Sequence, residues 1–401
     1  MNARTRTLIA ATLVLGIASG PVLAHAAPAP TAASVSAVAS GVAAPTVPTP
    51  PNAAALAEAI AGLGAENEHA TAALVRVGGT SGSWRGSAGV SDVRTGRPAI
   101  AEGRFRVGSV TKTFTAAVVL QLVAEGKVGL DETVQHCSPG LLPDTFKAVT
   151  VRQLLNYTSG IQSADGPGDG FENAYPHRFD ISDPHAMIAN AVAKGPAFDP
   201  GTKQEYLNIG YTILGVLIEK LTGTSYAKVV EARIAKPLGL RDTSSPGPVR
   251  VRIQGPHNHG YQAVPQTGGA SELVDVSDWN ASAQFAAGDL VSTTADLERF
   301  TVALFSGRLV PKAQLEEMFT VPKVKNTEGQ DADLTAGMKR FVLPGGVVAW
   351  GKTGARPGYN TVIGGTRDLS RTLVYSLNST DAKGQEMNPI AEKLVMAAFK
   401  K

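Results

Sequence analysis

The sequence predicts an α+β fold: an antiparallel β-sheet flanked by helices, with a mostly helical lobe inserted between the two halves of the sheet. Three observations carry this. Both ends of the folded region are rich in β-formers and turn glycines. The middle is helical by periodicity. One middle helix is apolar nearly all round, the mark of a buried central element. Strands at both ends with helices between them imply one sheet completed by both termini. A single folded region over 53–401 is expected, its sheet-bearing lobe at about 53–112 and 340–401 and its helical lobe at about 113–339.

The chain has 401 residues, 43% hydrophobic and 18% charged, enough apolar material for a large core. Thirty-seven Lys and Arg face 34 Asp and Glu. The balance is close to neutral once Arg4 and Arg6 are set aside with a leader. Such a surface offers neither a nucleic-acid groove nor a polybasic membrane patch. The lone Cys137 excludes an internal disulfide and a Cys-rich metal cluster.

At the N-terminus, basic Arg4 and Arg6, the apolar run Leu8 to Ile17 and the Ala24-His25-Ala26 pattern read as a signal peptide over 1–26. An Ala/Pro-rich tether follows over 27–52, of a composition that favours extended, solvated backbone. The expectation is an exported, released protein with no stable membrane anchor after cleavage.

The elements then follow in order. Ala70 to Val77, Ser83 to Val93 and Phe105 to Val107 read as strands. The buried helix is Thr113 to Glu125, ending at Gly126. Ile209 to Leu221 closes at Gly223, and Ser225 to Ala235 is expected to stop at Pro237. Strands return at Val347 to Lys352, Thr361 to Gly365 and Arg371 to Leu377, the last pair joined by a short turn as in a meander. A terminal helix runs from about Asn388 to Phe399, with Ile390, Leu394, Val395 and Phe399 at helical spacing. A cleft between the lobes is the default place for a site.

Several chemistries are thinly supported. The G-x-S-x-G elbow and H-E-x-x-H are both absent. His257 and His259 read as surface loop histidines, and Cys137 as a buried, inert thiol. No motif implies a metal, nucleotide or redox cofactor.

A different constellation stands out. Gly108-Ser109-Val110-Thr111-Lys112 opens the buried helix directly after a short strand. Three residues apart, Ser109 and Lys112 project from one helix face. Ser109 also lies beside the backbone N–H groups and positive end of the helix, where an oxyanion is stabilised. A partly buried Lys112 has a lowered pKa and can take or relay a proton. The same spacing recurs at Ser225 and Lys228, read as capping or surface because no strand precedes it. Tyr206-Leu207-Asn208 lies about a hundred residues beyond Ser109. A Tyr206 phenol near two ammonium groups is expected to ionise below about 10 and act as base. The Asn208 amide can donate to and accept from a substrate. Gly351-Lys352-Thr353-Gly354 supplies fixed positive charge at Lys352 and room for a ligand along a strand edge.

With these pieces in this order, the chain resembles the penicillin-recognising serine enzymes, above all the soluble D-alanyl-D-alanine carboxypeptidases and class C beta-lactamases. The likeness runs from about 56 to 399. It is strongest in Phe105 to Lys112, in Leu154-Leu155-Asn156-Tyr157-Thr158-Ser159-Gly160 and in Gly351-Lys352-Thr353-Gly354, with weaker support from Gly210 to Gly223 and Ala287-Gly288. The resemblance implies a beta-lactamase/transpeptidase-like fold and Ser109 as an acylated nucleophile. It implies that Lys112 and Tyr206 handle the proton, that Asn208, Lys352, Thr353 and Gly354 hold the substrate, and that the backbone N–H groups of Ser109 and Ala355 form the oxyanion hole.

Three positions depart from the pattern. Leu207 replaces a usual Ser or Ala and is expected to make the site floor bulkier. Tyr157 replaces a common His at a position read as structural. Ala355 stands where relatives often have a hydroxyl that binds a terminal carboxylate, leaving Arg356, Arg340 or Lys339 to replace that contact. The implied activity is cleavage of D-Ala-D-Ala peptides, with β-lactams, esters or D-amino-acid amides as alternative substrates of the same machinery. A non-catalytic penicillin-binding-like scaffold or sensor is the remaining alternative.

Overall fold

Ala70–Gly78 and Thr372–Ser379, from opposite ends of the chain, pair antiparallel at the heart of the sheet, with Val75 opposite Tyr375. The computed structural model describes residues 50–399 except 144, 169, 268, 270, 344 and 385. The expected signal peptide and nearly all of the tether lie outside the described residues.

The sheet has seven strands, all antiparallel, in the order Lys339–Val342, Val348–Arg356, Tyr359–Thr366, Thr372–Ser379, Ala70–Gly78, Trp84–Asp92 and Arg97–Pro98. Both termini complete it, as the sequence predicts. Alternation along the central strand sends Val75 and Val77 to one face and Leu74 to the other. On the first face the helices Ala53–Ala59 and Pro389–Phe399 bring Leu56, Ile390 and Leu394 onto Val75, Leu373 and Leu377. Each such side chain contributes about 1.5–3 kcal/mol when fully buried.

The second face is covered by Thr294–Phe305, anchored where Arg76 meets Glu298 at 3.1 Å. Behind it lies Thr111–Ala124, whose Phe114 stacks on Phe300 with ring centroids 3.7 Å apart. That helix is buried around nearly its whole circumference, Lys112, Thr113 and Thr115 included. Its buried hydroxyls are paired: Thr113 donates to Gly337 O at 2.8 Å and Thr115 to Ala286 O at 2.6 Å.

Two expectations are corrected. The short strand Phe105–Arg106 does not join the sheet but pairs with Val291–Ser292. Arg106 is buried there, its guanidinium donating to the carbonyls of Ser277 at 2.8 Å and Val251 at 2.5 Å, which ties the strand to the helical side. The helix after Ser225 does not stop at Pro237. Tyr226–Val230 widens into a π-helical turn at Glu231–Ala235 and continues as Lys236–Leu238 to Gly239. Pro237 then falls in the first turn of the new segment, where its missing N–H has no obligatory acceptor.

Candidate active site

Ser109 lies in the 3-10 turn Gly108–Val110 that runs straight into Thr111–Ala124. Two glycines bring this turn against the Val348–Arg356 strand. Gly108 has φ 52°, and a Cβ there would stand 2.6 Å from Ala355 N. A Cβ on Gly354 would stand 2.0 Å from Val107 O and 3.1 Å from Ser109 N. The strand backbone at Gly354–Ala355 therefore lies directly on the backbone of the Ser109 turn.

Lys112, one helical turn from Ser109, is wholly buried. Its Nζ is 3.1 Å from Ser109 Oγ, 2.7 Å from Asn208 Oδ1 and 2.8 Å from Ala287 O. No acid pairs with it among the described residues. Burial, followed by the charges of Lys352 and Lys383, holds its pKa well below the usual lysine range. Asn208 sits at the head of the Ile209–Thr222 helix and also donates from Nδ2 to Gln284 Oε1 at 3.2 Å. Lys112 is thus held by a turn, a helix end and the 284–287 loop together.

Tyr206 lies between the two site lysines. Lys112 Nζ is 5.0 Å and Lys352 Nζ 4.7 Å from its ring centroid. The expected depression of its pKa does not occur: burial raises it, and Ser109 offsets only part of the rise. The physical reason lies in the lysines. Both are pushed toward the neutral amine, Lys352 to about 7 by burial and then by Lys339 and Lys383, so they lend the phenol little positive charge. The Tyr206 hydroxyl is buried and faces Ser109 without a hydrogen bond of normal length.

Lys352 is buried and donates to Thr353 O at 2.8 Å, while the Thr353 side chain is exposed. The three cations expected to replace a carboxylate contact differ in their surroundings. Lys339 pairs with Asp333 at 2.8 Å, and Arg340 is exposed on the edge strand. Arg356 is buried, its guanidinium 5.9 Å from the Trp279 ring centroid and its pKa pushed down to about 9, first by burial. Leu207 lines a recess with Tyr157, Phe198 and Ile209.

Ser225 and Lys228 are both exposed, and Ser225 heads its helix without a side-chain capping bond. The Cys137 thiol is pushed up to about 11 by burial and Glu132, which keeps it protonated. His257 and His259 occupy a loop, with His259 Nδ1 2.6 Å from Asp275 Oδ2. Sequence reasoning missed Gln284 and Lys383. Gln284 reaches Asn208 across 76 positions, and no local motif marks either residue.

Comparison with known proteins agrees with this architecture. The family described as Beta-lactamase matches residues 56–396. A solved D-stereospecific amidohydrolase from Streptomyces sp. is 34% identical, with a TM-score of 0.74 over 87% of this chain and 99% of its own. The D-amino acid amidase of Ochrobactrum anthropi SV3, solved with D-phenylalanine, is 25% identical with a TM-score of 0.67, covering 82% of this chain and 94% of its own. Among curated relatives, a penicillin-binding protein of Bacillus subtilis (strain 168) is 28% identical over 74% of this chain and 65% of its own length. Esterase EstB of Burkholderia gladioli is 32% identical over 44% of this chain and 47% of its own. The chain thus spans between about half and two thirds of those two relatives. The family match runs from within the first outer helix to within the last and takes in the sheet and the buried helix behind Ser109, and on that ground the chain belongs to the beta-lactamase family, whose members are generally serine hydrolases.

Proposed function

We propose that the protein is a serine acyl-enzyme hydrolase cleaving amide or ester bonds at D-configured residues. One observation carries the reading: Lys112 Nζ meets Ser109 Oγ, Asn208 Oδ1 and Ala287 O, and no acid. A neutral amine satisfies all three. Its two N–H groups donate to the amide and carbonyl oxygens, and its lone pair accepts the Ser109 hydroxyl proton. As Oγ attacks the substrate carbonyl carbon, that proton passes to Lys112. The oxyanion forms against the backbone N–H groups of Ser109 and Ala355. Collapse breaks the scissile bond, and the leaving group takes a proton from the neutral Tyr206 phenol, which recovers it from Lys112. Water then cleaves the Ser109 ester by the reverse relay.

The preference for D-amino-acid amides rests on the amidohydrolase and amidase likenesses. Release of a terminal D-Ala is the second reading, favoured by Lys383. That residue has no ion-pair partner among the described residues and is close enough to influence both Lys112 and Lys352, and its own pKa is pushed down to about 8, first by burial and then by Arg356. Export is proposed as well, on the leader pattern alone. The test is a panel of D- and L-phenylalanine amide, D-Ala-D-Ala peptide, cephalosporin and p-nitrophenyl acetate on mature protein from culture supernatant. The expected result is turnover of the D-amide over the L-amide, with acid-quenched mass mapping placing the acyl group on Ser109. Label on Ser225 or Cys137 would sink the assignment.

A further inference from the structure

Tyr157 combines three features that packing alone does not require. Its φ is 63°, in the left-handed region that a bulky aromatic rarely occupies. It is 4% exposed, yet its hydroxyl faces Tyr211 without a hydrogen bond of normal length. Its ring lies between two others, with centroids 5.1 Å from Tyr206 and 5.3 Å from Tyr211. Strained backbone of this kind persists only where surrounding structure fixes it, and it gathers at functional sites.

The backbone around Tyr157 is bonded to the segment that delivers Tyr206. Asn156 O accepts from Gln204 Nε2 at 2.9 Å, and Thr158 O accepts from Gly201 N at 2.7 Å. Tyr157 O accepts from Glu205 N at 2.9 Å. Three successive carbonyls thus hold residues 201–205, and the left-handed turn at Tyr157 aims its ring at Tyr206 from the same anchor. Resting on the acyl-enzyme reading, we infer that Tyr157 is a positioning residue: its turn clamps the Gly201–Tyr206 segment, and its ring seats Tyr206 against Lys112 and Lys352.

The consequence is a dry proton-transfer site. The groups facing Lys112 are Ser109 from its own turn, Asn208 and Tyr206 from the approaching loop, and Tyr211 from the following helix, with the charges of Lys352 and Lys383 beyond. None is an acid. Water entering where the Tyr157 ring stood would hydrate the ammonium form, so the Lys112 proton would leave at higher pH.

The experiment uses Tyr157→Gly, Tyr157→Asn and Tyr157→Phe in the full chain, with p-nitrophenyl acetate and D-phenylalanine amide as substrates. Gly and Asn both accept a left-handed backbone, so the pair guards against one variant failing to fold. Both should lower kcat by about 10²-fold with KM changed far less, the scale of a misplaced reacting group. Both should also move the acid limb of kcat/KM upward by about half a pH unit or more. Tyr157→Phe should rescue the rate and the limb, because the ring is the working part. Folded Gly and Asn variants with wild-type kcat, or with a reduced rate and an unmoved limb, would overturn the positioning role while Ser109 acylation in the parent protein stands. Absence of any Ser109 adduct in the parent would instead remove the acyl-enzyme reading and this inference with it.

Discussion

Lys112 Nζ lies 3.1 Å from Ser109 Oγ, and its other two partners are oxygens that only accept. The geometry orders the amine rather than merely burying it. Lys112→Ala is therefore expected to lose about 10²- to 10⁴-fold in turnover while keeping its fold, the usual worth of a general base. Lys228→Ala, from the exposed copy of the motif, should match the parent. Steady-state kinetics on both, with thermal melts to control for folding, decide it; equal losses would mean the motif pair has been misassigned.

Tyr206 is held protonated by burial, so its part is to deliver a proton, not to take the first one. A p-nitrophenolate leaves without protonation, whereas an amide nitrogen must be protonated to depart. Tyr206→Phe should thus cost amide turnover about 10²-fold or more and p-nitrophenyl ester turnover much less. Similar losses on both substrates would make the phenol a wall of the pocket rather than a donor.

The two lysines set the pH response. Activity needs Lys112 as the amine, so kcat/KM should rise with pH along its acid limb. Stability follows a separate sign. Lys352 has a folded pKa near 7 against about 10.4 when unfolded, so between those values the unfolded chain binds more protons and stability climbs with pH. Melting temperature should increase between about pH 7 and pH 9 on this account. Lys352→Met should flatten that slope and raise the melting temperature at pH 7 while impairing turnover. A slope unchanged in the variant would assign the pH dependence to other groups.

Gly354 has no room for a methyl group, since a Cβ would stand 2.0 Å from Val107 O. Gly354→Ala must push the strand off the Ser109 turn. Overpacking of this kind costs about 1–3 kcal/mol of stability. Loss of a well-placed oxyanion donor at Ala355 costs about 10²- to 10³-fold in kcat. Denaturant melts and kinetics should register both, and a stable, fully active variant would place the oxyanion elsewhere.

The central strands, the buried helix and the terminal helix were legible because their signals are local: β-rich runs between glycines, and a helix without a polar face. Ser109, Lys112, Asn208 and Lys352 were legible for a related reason, each lying in a short pattern beside a recognisable element boundary. Misplacements arose where long-range contacts decide. The Phe105–Arg106 strand carries a strand's composition but follows the buried Arg106 to Ser277 and Val251.

By itself the sequence determined which residue types could perform acyl transfer and on which elements they would lie, because helix spacing and strand ends are set within a few residues. Only the tertiary structure decided their protonation. Whether Tyr206 or Lys112 begins as the base depends on water excluded by rings and loops far apart in the chain, among them Tyr157, Tyr211 and the 284–287 loop. Desolvation is a property of the whole surrounding volume, and no local pattern of residues encodes it.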